Sequence, residues 1–130
     1  MQVSDTKSIG NLGESIAVRF LQRKGFVIIE RNYRKPWGEI DIIAEKAGVV
    51  RFVEVKAVSR EIPAADISRE IEYRPEELVH SKKLRNISRT ASLYMENARD
   101  SREYQIDVVG VILDTKKSLA RCRLFEQVLE

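Results

Sequence analysis

Apolar residues near the start of the chain recur every three or four positions. This pattern covers residues 9–21, and Gly25 follows it as a stop signal, which together predict a first helix. Gly10 and Gly13 weaken that helix. Glycines so close to the start of a helix often allow another backbone to approach closely.

The following stretch predicts three strands, of which the last two form a hairpin. An apolar, β-prone run covers residues 26–34. Residues 38–46 and 49–58 then alternate charged with apolar side chains, as strands with two different faces do. Ala47 and Gly48, which lie between these two segments, suit a tight turn.

A charged stretch without regular spacing separates this hairpin from the rest of the chain. Residues 59–79 contain two prolines and no sustained period, which predicts a long loop. Beyond it, the spacing predicts a second helix from residue 80 or 81 to 98, a central strand over 104–113 and a last strand over 121–129. The order α-β-β-β-α-β-β predicts one α/β domain over residues 1–130, with a mixed central sheet flanked by helices.

Composition narrows the class of protein but not its partner. The 130 residues are 43% hydrophobic and 33% charged, which is typical of a folded globular domain. A formal net charge of +3 and a pI near 9.1 fit an anionic partner such as nucleic acid, but they are too mild to choose one. Because no apolar run is as long as a membrane span and no secretory signal is visible, we expect a cytoplasmic protein without a membrane partner.

Cysteine and histidine each occur once, as Cys122 and His80. An internal disulfide, a cysteine zinc cluster and a His–His metal site are therefore excluded. We expect His80 to cap or pack against the second helix and Cys122 to be buried. Carboxylates and lysines are left to carry any chemistry.

The most informative charged residues lie in the predicted hairpin. Glu54 and Lys56 are two apart, so they project from the same face of their strand, and a hairpin would bring Asp41 of the preceding strand close to Glu54. Two neighbouring carboxylates repel each other unless a cation lies between them. A hard divalent cation such as Mg²⁺ suits such a pair, and the ammonium of Lys56 could contact a phosphate there.

These residues also resemble a known signature. Asp41, followed after a hairpin by Glu54-Val55-Lys56, resembles the D…(D/E)xK motif of the restriction-endonuclease-like nuclease superfamily. Longer strings resemble the bacterial YraN-like family of predicted nucleases, whose fold is similar to that of archaeal Holliday-junction resolvases. These strings are NLGESIA at 11–17, ERNYR at 30–34, GEIDIIA at 38–44 and FVEVK at 52–56.

The resemblance implies a restriction-endonuclease-like core and metal-dependent hydrolysis of phosphodiester bonds in DNA, including branched or structured DNA. It implies that Asp41, Glu54 and the backbone carbonyl of Val55 hold Mg²⁺ or Mn²⁺. Glu14 would hold a second ion or orient a water, and Lys56 would be the catalytic lysine. We expect Lys56 to act electrostatically, because an ammonium between carboxylates stays protonated. A homodimer would suit symmetric cutting of both strands.

A basic stripe on the second helix is a candidate nucleic-acid contact. Lys82, Arg85 and Arg89 share one face, and Lys83 lies at its edge. The stripe could equally be a solvated helix face. At the level of function, the alternative to an endonuclease is a nucleic-acid-binding module that keeps the nuclease fold and has little or no catalysis. Trp37 either stacks on a base or covers one end of the core, and we expect Asp107 to be a structural hydrogen-bond acceptor.

Overall fold

The computed structural model of the chain describes residues 6–63 and 80–129. Within them, two helices and five strands follow one another in the predicted order. The helices are α1 (Thr6–Arg23) and α2 (Ser81–Asn97), and the strands are β1 (Val27–Lys35), β2 (Gly38–Lys46), β3 (Val49–Ser59), β4 (Tyr104–Asp114) and β5 (Leu119–Phe125). Most of the predicted long loop, residues 64–79, lies outside the described residues.

The five strands form one mixed sheet in the order β1-β2-β3-β4-β5. The β3–β4 pair is parallel and the other pairs are antiparallel, which confirms the mixed sheet. The strand β4, predicted to be central, has a neighbouring strand on each side, and the middle strand of the five is β3. The last strand begins at Leu119, two residues earlier than predicted. It also ends earlier, at Phe125, because residues 126–129 are not part of the sheet.

Two glycine-containing turns set the ends of the first elements. Ala47 and Gly48 both have positive φ, +55° and +78°, so the β2–β3 connection is the tight primed turn that matches the twist of a hairpin. At the end of α1, Gly25 has φ +91° and the N–H of Phe26 donates to the carbonyl of Leu21 at 3.0 Å. This is the Schellman arrangement, which satisfies the last carbonyls of a helix.

Each helix covers one face of the sheet and buries its own apolar core. The core under α1 contains side chains from every strand, including Ile42, Val53 and Val109. The core under α2 is built around Phe52, with Tyr94 edge-on to it at 5.6 Å between ring centroids. Within the described part of the chain, neither helix is long and apolar enough to cross a membrane.

A buried charged cluster fastens the C-terminal segment to the sheet. Arg51 donates to Asp107 at 3.2 Å and to Glu126 at 2.8 Å. Asp107 is fully buried and also accepts hydrogen bonds from the side chain of Gln105 and the backbone N–H of Gln127. The prediction of Asp107 as a structural acceptor is therefore confirmed, since an unpaired buried carboxylate would be costly.

Three single residues differ in how well they were predicted. His80 is the N-cap residue of α2, as predicted, but its side chain is exposed and forms no capping hydrogen bond. Cys122 is partly buried, and burial raises its pKa to about 11. Trp37 lies in the turn between β1 and β2 and is 41% exposed.

Candidate functional site

The site begins where β2 separates from β3. Ile40 packs in the core under α2, whereas Ile42 packs in the core under α1, although residues two apart in a regular strand share a face. The ladder between the two strands ends at the pair Ile42–Val53. The strand β2 continues through Asp41, paired with β1, but its pairing with β3 ends there and its two faces change over. The strict alternation predicted for this segment is therefore wrong at Asp41.

Beyond the last backbone pair of β2 and β3, the side chain of Asp41 supplies a hydrogen bond between the two strands. Its Oδ2 atom accepts a hydrogen bond from the backbone N–H of Val55 at 2.9 Å. This bond brings Asp41 next to Glu54, a buried residue of β3. Burial first, and repulsion by Asp41 second, raise the pKa of Glu54 to about 7. The predicted approach of these two carboxylates across the hairpin is confirmed.

Lys56 follows on the same face of β3, at the open end of the site. It is exposed, whereas Glu54 two residues earlier is buried. Among the described residues, no carboxylate lies within ion-pair distance of its ammonium. The Lys56 side chain is therefore open to solvent, two residues beyond the buried Glu54 on the same strand.

Glu14 reaches the site because α1 lies directly against β3. Gly13 touches Ala57 so closely that a Cβ atom there would have no room. The carboxylate of Glu14 is buried, and Arg31 lies 3.4 Å from it. Burial first, and the charge of Asp41 second, raise the pKa of Glu14, so the two carboxylates lie close enough to interact.

Two residues of β1 complete this side of the site and had no role predicted from the sequence. Asn32 has φ +53°, and the β1–β2 register places it opposite Asp41. Side-chain hydrogen bonds from Arg31 and Asn32 lower the pKa of Glu14, against the larger effect of burial. The string ERNYR contained both residues, but only the tertiary contact with α1 reveals what they bind.

Lys83 occupies a position that the sequence did not predict. It was grouped with the basic stripe as a nucleic-acid contact, but its Nζ atom lies 2.6 Å from Oε1 of Glu54. Burial acts to lower the pKa of Lys83, but the hydrogen bond and charge of Glu54, together with the charges of Asp41 and Glu39, outweigh burial and raise it. The ammonium therefore stays charged. The other residues of the stripe, Lys82, Arg85 and Arg89, are exposed.

The donors at this site are hard oxygen atoms. Asp41 and Glu54 could hold Mg²⁺ or Mn²⁺ together with a backbone carbonyl and waters, since Mg²⁺ is commonly held by only one or two carboxylates. Over residues 6–63 and 80–129, no three acidic, histidine or cysteine side chains converge into a metal cage. Glu14 forms an ion pair with Arg31. Of the three acids predicted for the site, Asp41 and Glu54 therefore form a pair, and Glu14 lies beside that pair.

Fold and site together define an α/β protein with a helix on each face of a mixed sheet, and with carboxylates and lysines gathered where β2 leaves β3. The model of a family described as "Uncharacterised protein family UPF0102" matches residues 13–111, and the chain belongs to that family. This span includes every residue of the site.

Relatives in this family match most of the chain. A UPF0102 protein of Dictyoglomus turgidum is 37% identical over 114 residues, covering 86% of this chain and 88% of the relative. One of Clostridium botulinum is 35% identical over 126 residues, covering 95% of each. One of Fervidobacterium nodosum is 37% identical over 101 residues, covering 78% of this chain and 68% of the relative. The names of these relatives state no activity.

Proposed function

We propose that the chain is a metal-dependent endonuclease that hydrolyses phosphodiester bonds in DNA, including branched or structured DNA. One observation carries the proposal. Asp41 and Glu54, from two different strands, lie side by side, and Lys56 extends to solvent from the same strand face as Glu54. Two neighbouring carboxylates, one of them buried, are costly to maintain, so an arrangement that keeps them on the same sheet as an exposed lysine favours a function.

The acid pair fits the metal that such a reaction uses. Asp41 and Glu54 would hold Mg²⁺ or Mn²⁺, with the carbonyl of Val55 as a further donor. When bound, the ion polarises the phosphate and lowers the pKa of water. Asp41 is fixed for this task by the N–H of Val55, and Glu54 by its burial in the sheet.

The chain's own cations would handle the charge of the phosphate. The Lys56 ammonium contacts a non-bridging oxygen and stabilises the negative charge that develops as water attacks phosphorus. Glu14, whose pKa is raised by burial, would hold the attacking water by a hydrogen bond. The exposed stripe of Lys82, Arg85 and Arg89 would contact neighbouring phosphates without regard to base sequence.

The test is a cleavage assay on single-stranded, duplex, flap and four-way-junction DNA and on RNA. Each substrate is incubated with Mg²⁺, Mn²⁺ or EDTA. We expect metal-dependent cutting of DNA that falls at least about 10²-fold in Asp41→Asn and in Lys56→Met, because each change removes a group that acts on the reacting phosphate.

Two exposed residues away from the site serve as matched controls. Glu96→Gln and Lys24→Met make the same chemical changes, in the last turn of α2 and just beyond α1. Cleavage by these variants should equal that of the unmodified protein. Cutting that persists in EDTA, or that survives both site substitutions, would contradict the proposal.

A second function is favoured by the contacts of Glu14 and Lys83. Arg31 and Lys83 hold two of the acids, which is also how a nuclease fold without catalysis could stabilise its buried carboxylates. The protein would then be a nucleic-acid-binding module. It would bind DNA in the same panel and cut none of it, and Lys56→Met would leave binding within about twofold. A homodimer and a cytoplasmic location stay predictions.

A further inference from the structure

Lys83 lies where its own helix gains nothing from a cation. The N-terminus of a helix carries a partial positive charge, which favours acidic residues and disfavours lysines. The first turn of α2 contains no acidic residue, and its cap residue, His80, forms no side-chain bond to the helix. Helix stability therefore does not explain a lysine at this position, and its contact outside the helix does.

That contact joins a partly exposed stem to a buried acid. The side chain of Lys83 is 50% exposed and that of Glu54 is 6% exposed, so the ammonium reaches inward from the surface. At 2.6 Å the contact is a short, charge-assisted hydrogen bond. Asp41 also acts on Lys83 through its charge, so the ammonium serves the acid pair and not Glu54 alone.

We propose that Lys83 is a positioning residue that holds Glu54 and compensates the Asp41–Glu54 pair until a divalent cation binds, and that it competes with this cation. The inference rests on the proposed function, since it takes the pair to be a metal site. An ammonium and a divalent ion on the same two carboxylates repel each other, so binding of the ion requires Lys83 to leave Glu54. The released ammonium then adds to the positive charge of the neighbouring stripe on α2.

The first test measures binding of Mn²⁺ alone, without nucleic acid, from the electron paramagnetic resonance signal of the free ion at pH 8. We expect Lys83→Met to bind Mn²⁺ about tenfold more tightly than the unmodified protein, because a competing cation is gone. Lys83→Arg, which keeps a cation there, should restore the original affinity. Lys82→Met removes the same charge from the exposed neighbouring residue and should change the affinity less than twofold.

The second test measures thermal unfolding at the same pH. In EDTA we expect Lys83→Met to lower Tm by roughly 4 °C, because the buried Glu54 loses the one ion pair that it forms with a described residue. Saturating Mn²⁺ should remove this difference, since the ion then compensates the pair. Lys82→Met should match the unmodified protein with and without Mn²⁺.

The two proposals fail in different ways. Equal Mn²⁺ affinity in Lys83→Met and Lys82→Met, weaker binding in Lys83→Met, or no binding in any variant would each overturn the role of Lys83. Tighter binding in Lys83→Met by a protein that cuts no nucleic acid would support that role and overturn the endonuclease. Metal-dependent cleavage with unchanged Mn²⁺ affinity in Lys83→Met would support the endonuclease and overturn the role of Lys83.

Discussion

Glu54 shows how the surroundings of one carboxylate decide its chemistry. The residue lies in a strand of otherwise apolar character, and its side chain is nearly inaccessible to water. Burial disfavours its ionised form, and the neighbouring Asp41 disfavours it further, while Lys83 acts in the opposite direction. The net result is a carboxyl group whose pKa of about 7 places its proton transfer near neutral pH.

This shift predicts how the stability of the metal-free protein depends on pH. The pKa of Glu54 is about 7 in the folded protein against an ordinary value of 4.5. Between these values the folded protein binds more protons than the unfolded chain, so stability falls as pH rises from about 4.5 to about 7. We expect Glu54→Gln to be more stable than the unmodified protein at pH 8, by on the order of 2–3 kcal/mol, with little difference at pH 5.

Urea unfolding in EDTA at the two pH values measures this difference. Glu96→Gln, on the exposed surface of α2, is the control and should follow the unmodified protein at both. A Glu54→Gln variant less stable than the unmodified protein at pH 8 would show that Glu54 is stabilised in its ionised form.

The packing of helix α1 on β3 decides whether Glu14 belongs to the site. Gly13 touches Ala57 without room for a Cβ atom, whereas no described atom lies within 4 Å of the Cβ position at Gly10. The two glycines therefore differ in purpose, although both were predicted to permit a close approach. Gly13 allows the helix to lie close to the strand, which places the next residue, Glu14, beside Asp41.

Alanine substitutions should separate these two glycines. We expect Gly13→Ala to lower the free energy of unfolding by about 1–2 kcal/mol, because the clash with Ala57 outweighs the better helix propensity of alanine. Gly10→Ala has no such clash and should be neutral or up to about 1 kcal/mol stabilising. Chemical denaturation of the three proteins measures both effects.

A double-mutant cycle tests the cause. Ala57→Gly removes the atom that Gly13→Ala meets, so the two changes should couple favourably by at least about 1 kcal/mol. Additive effects would mean that the helix shifts away from the strand at little cost, and close packing would then not be what places Glu14.

The elements that the sequence predicted well are those whose signals are local. The turn at Ala47 and Gly48 and the two strands around it follow from side-chain alternation and the backbone freedom of glycine. The approach of Asp41 to Glu54 follows from the hairpin, so this half of the site was predictable too. The change of faces at Asp41 was not, because it depends on which of two cores takes the neighbouring isoleucines.

Lys83 illustrates what helical spacing alone cannot show. Its spacing placed it at the edge of a basic stripe, but its partner, Glu54, lies 29 positions earlier, across a segment of irregular sequence. Only the packing of α2 on the sheet brings the two together. The same packing brings Gly38 against Thr90, so the helix is held at both the β1–β2 turn and the site.

At the scale of the whole molecule, the position of α2 joins the site to the basic stripe. Because Lys83 touches Glu54, the first turn of α2 lies beside the acid pair, and Lys82 is the neighbouring residue. Arg85 and Arg89 continue the stripe along the exposed side of the helix. A nucleic acid bound to the stripe would therefore pass the site, although the formal net charge of the chain is only +3.

This arrangement predicts that the position of the charges controls binding more than their number. Replacing Lys82, Arg85 and Arg89 with glutamine should reduce the slope of log affinity against log salt concentration by about 2–3 on duplex DNA, since each lost phosphate contact removes about 0.9. The matched variant also introduces three glutamines, in place of exposed residues at the C-terminal end of α1 and just beyond it: Arg19, Arg23 and Lys24. Both variants lower the formal net charge from +3 to zero.

Binding is measured in EDTA, so that cleavage does not consume the DNA. If the stripe contacts phosphates, the α2 variant has the smaller slope while the α1 variant keeps that of the unmodified protein. Equal reductions in both would mean that the DNA responds to total charge, which would contradict a path along α2. The Mn²⁺ affinity of the α2 variant should stay within about twofold of the unmodified protein, because exposed charges beyond the acid pair are screened by salt. We therefore expect two separate effects from one helix: the exposed residues of the stripe set the salt dependence of DNA binding, whereas Lys83 affects the affinity for the metal ion.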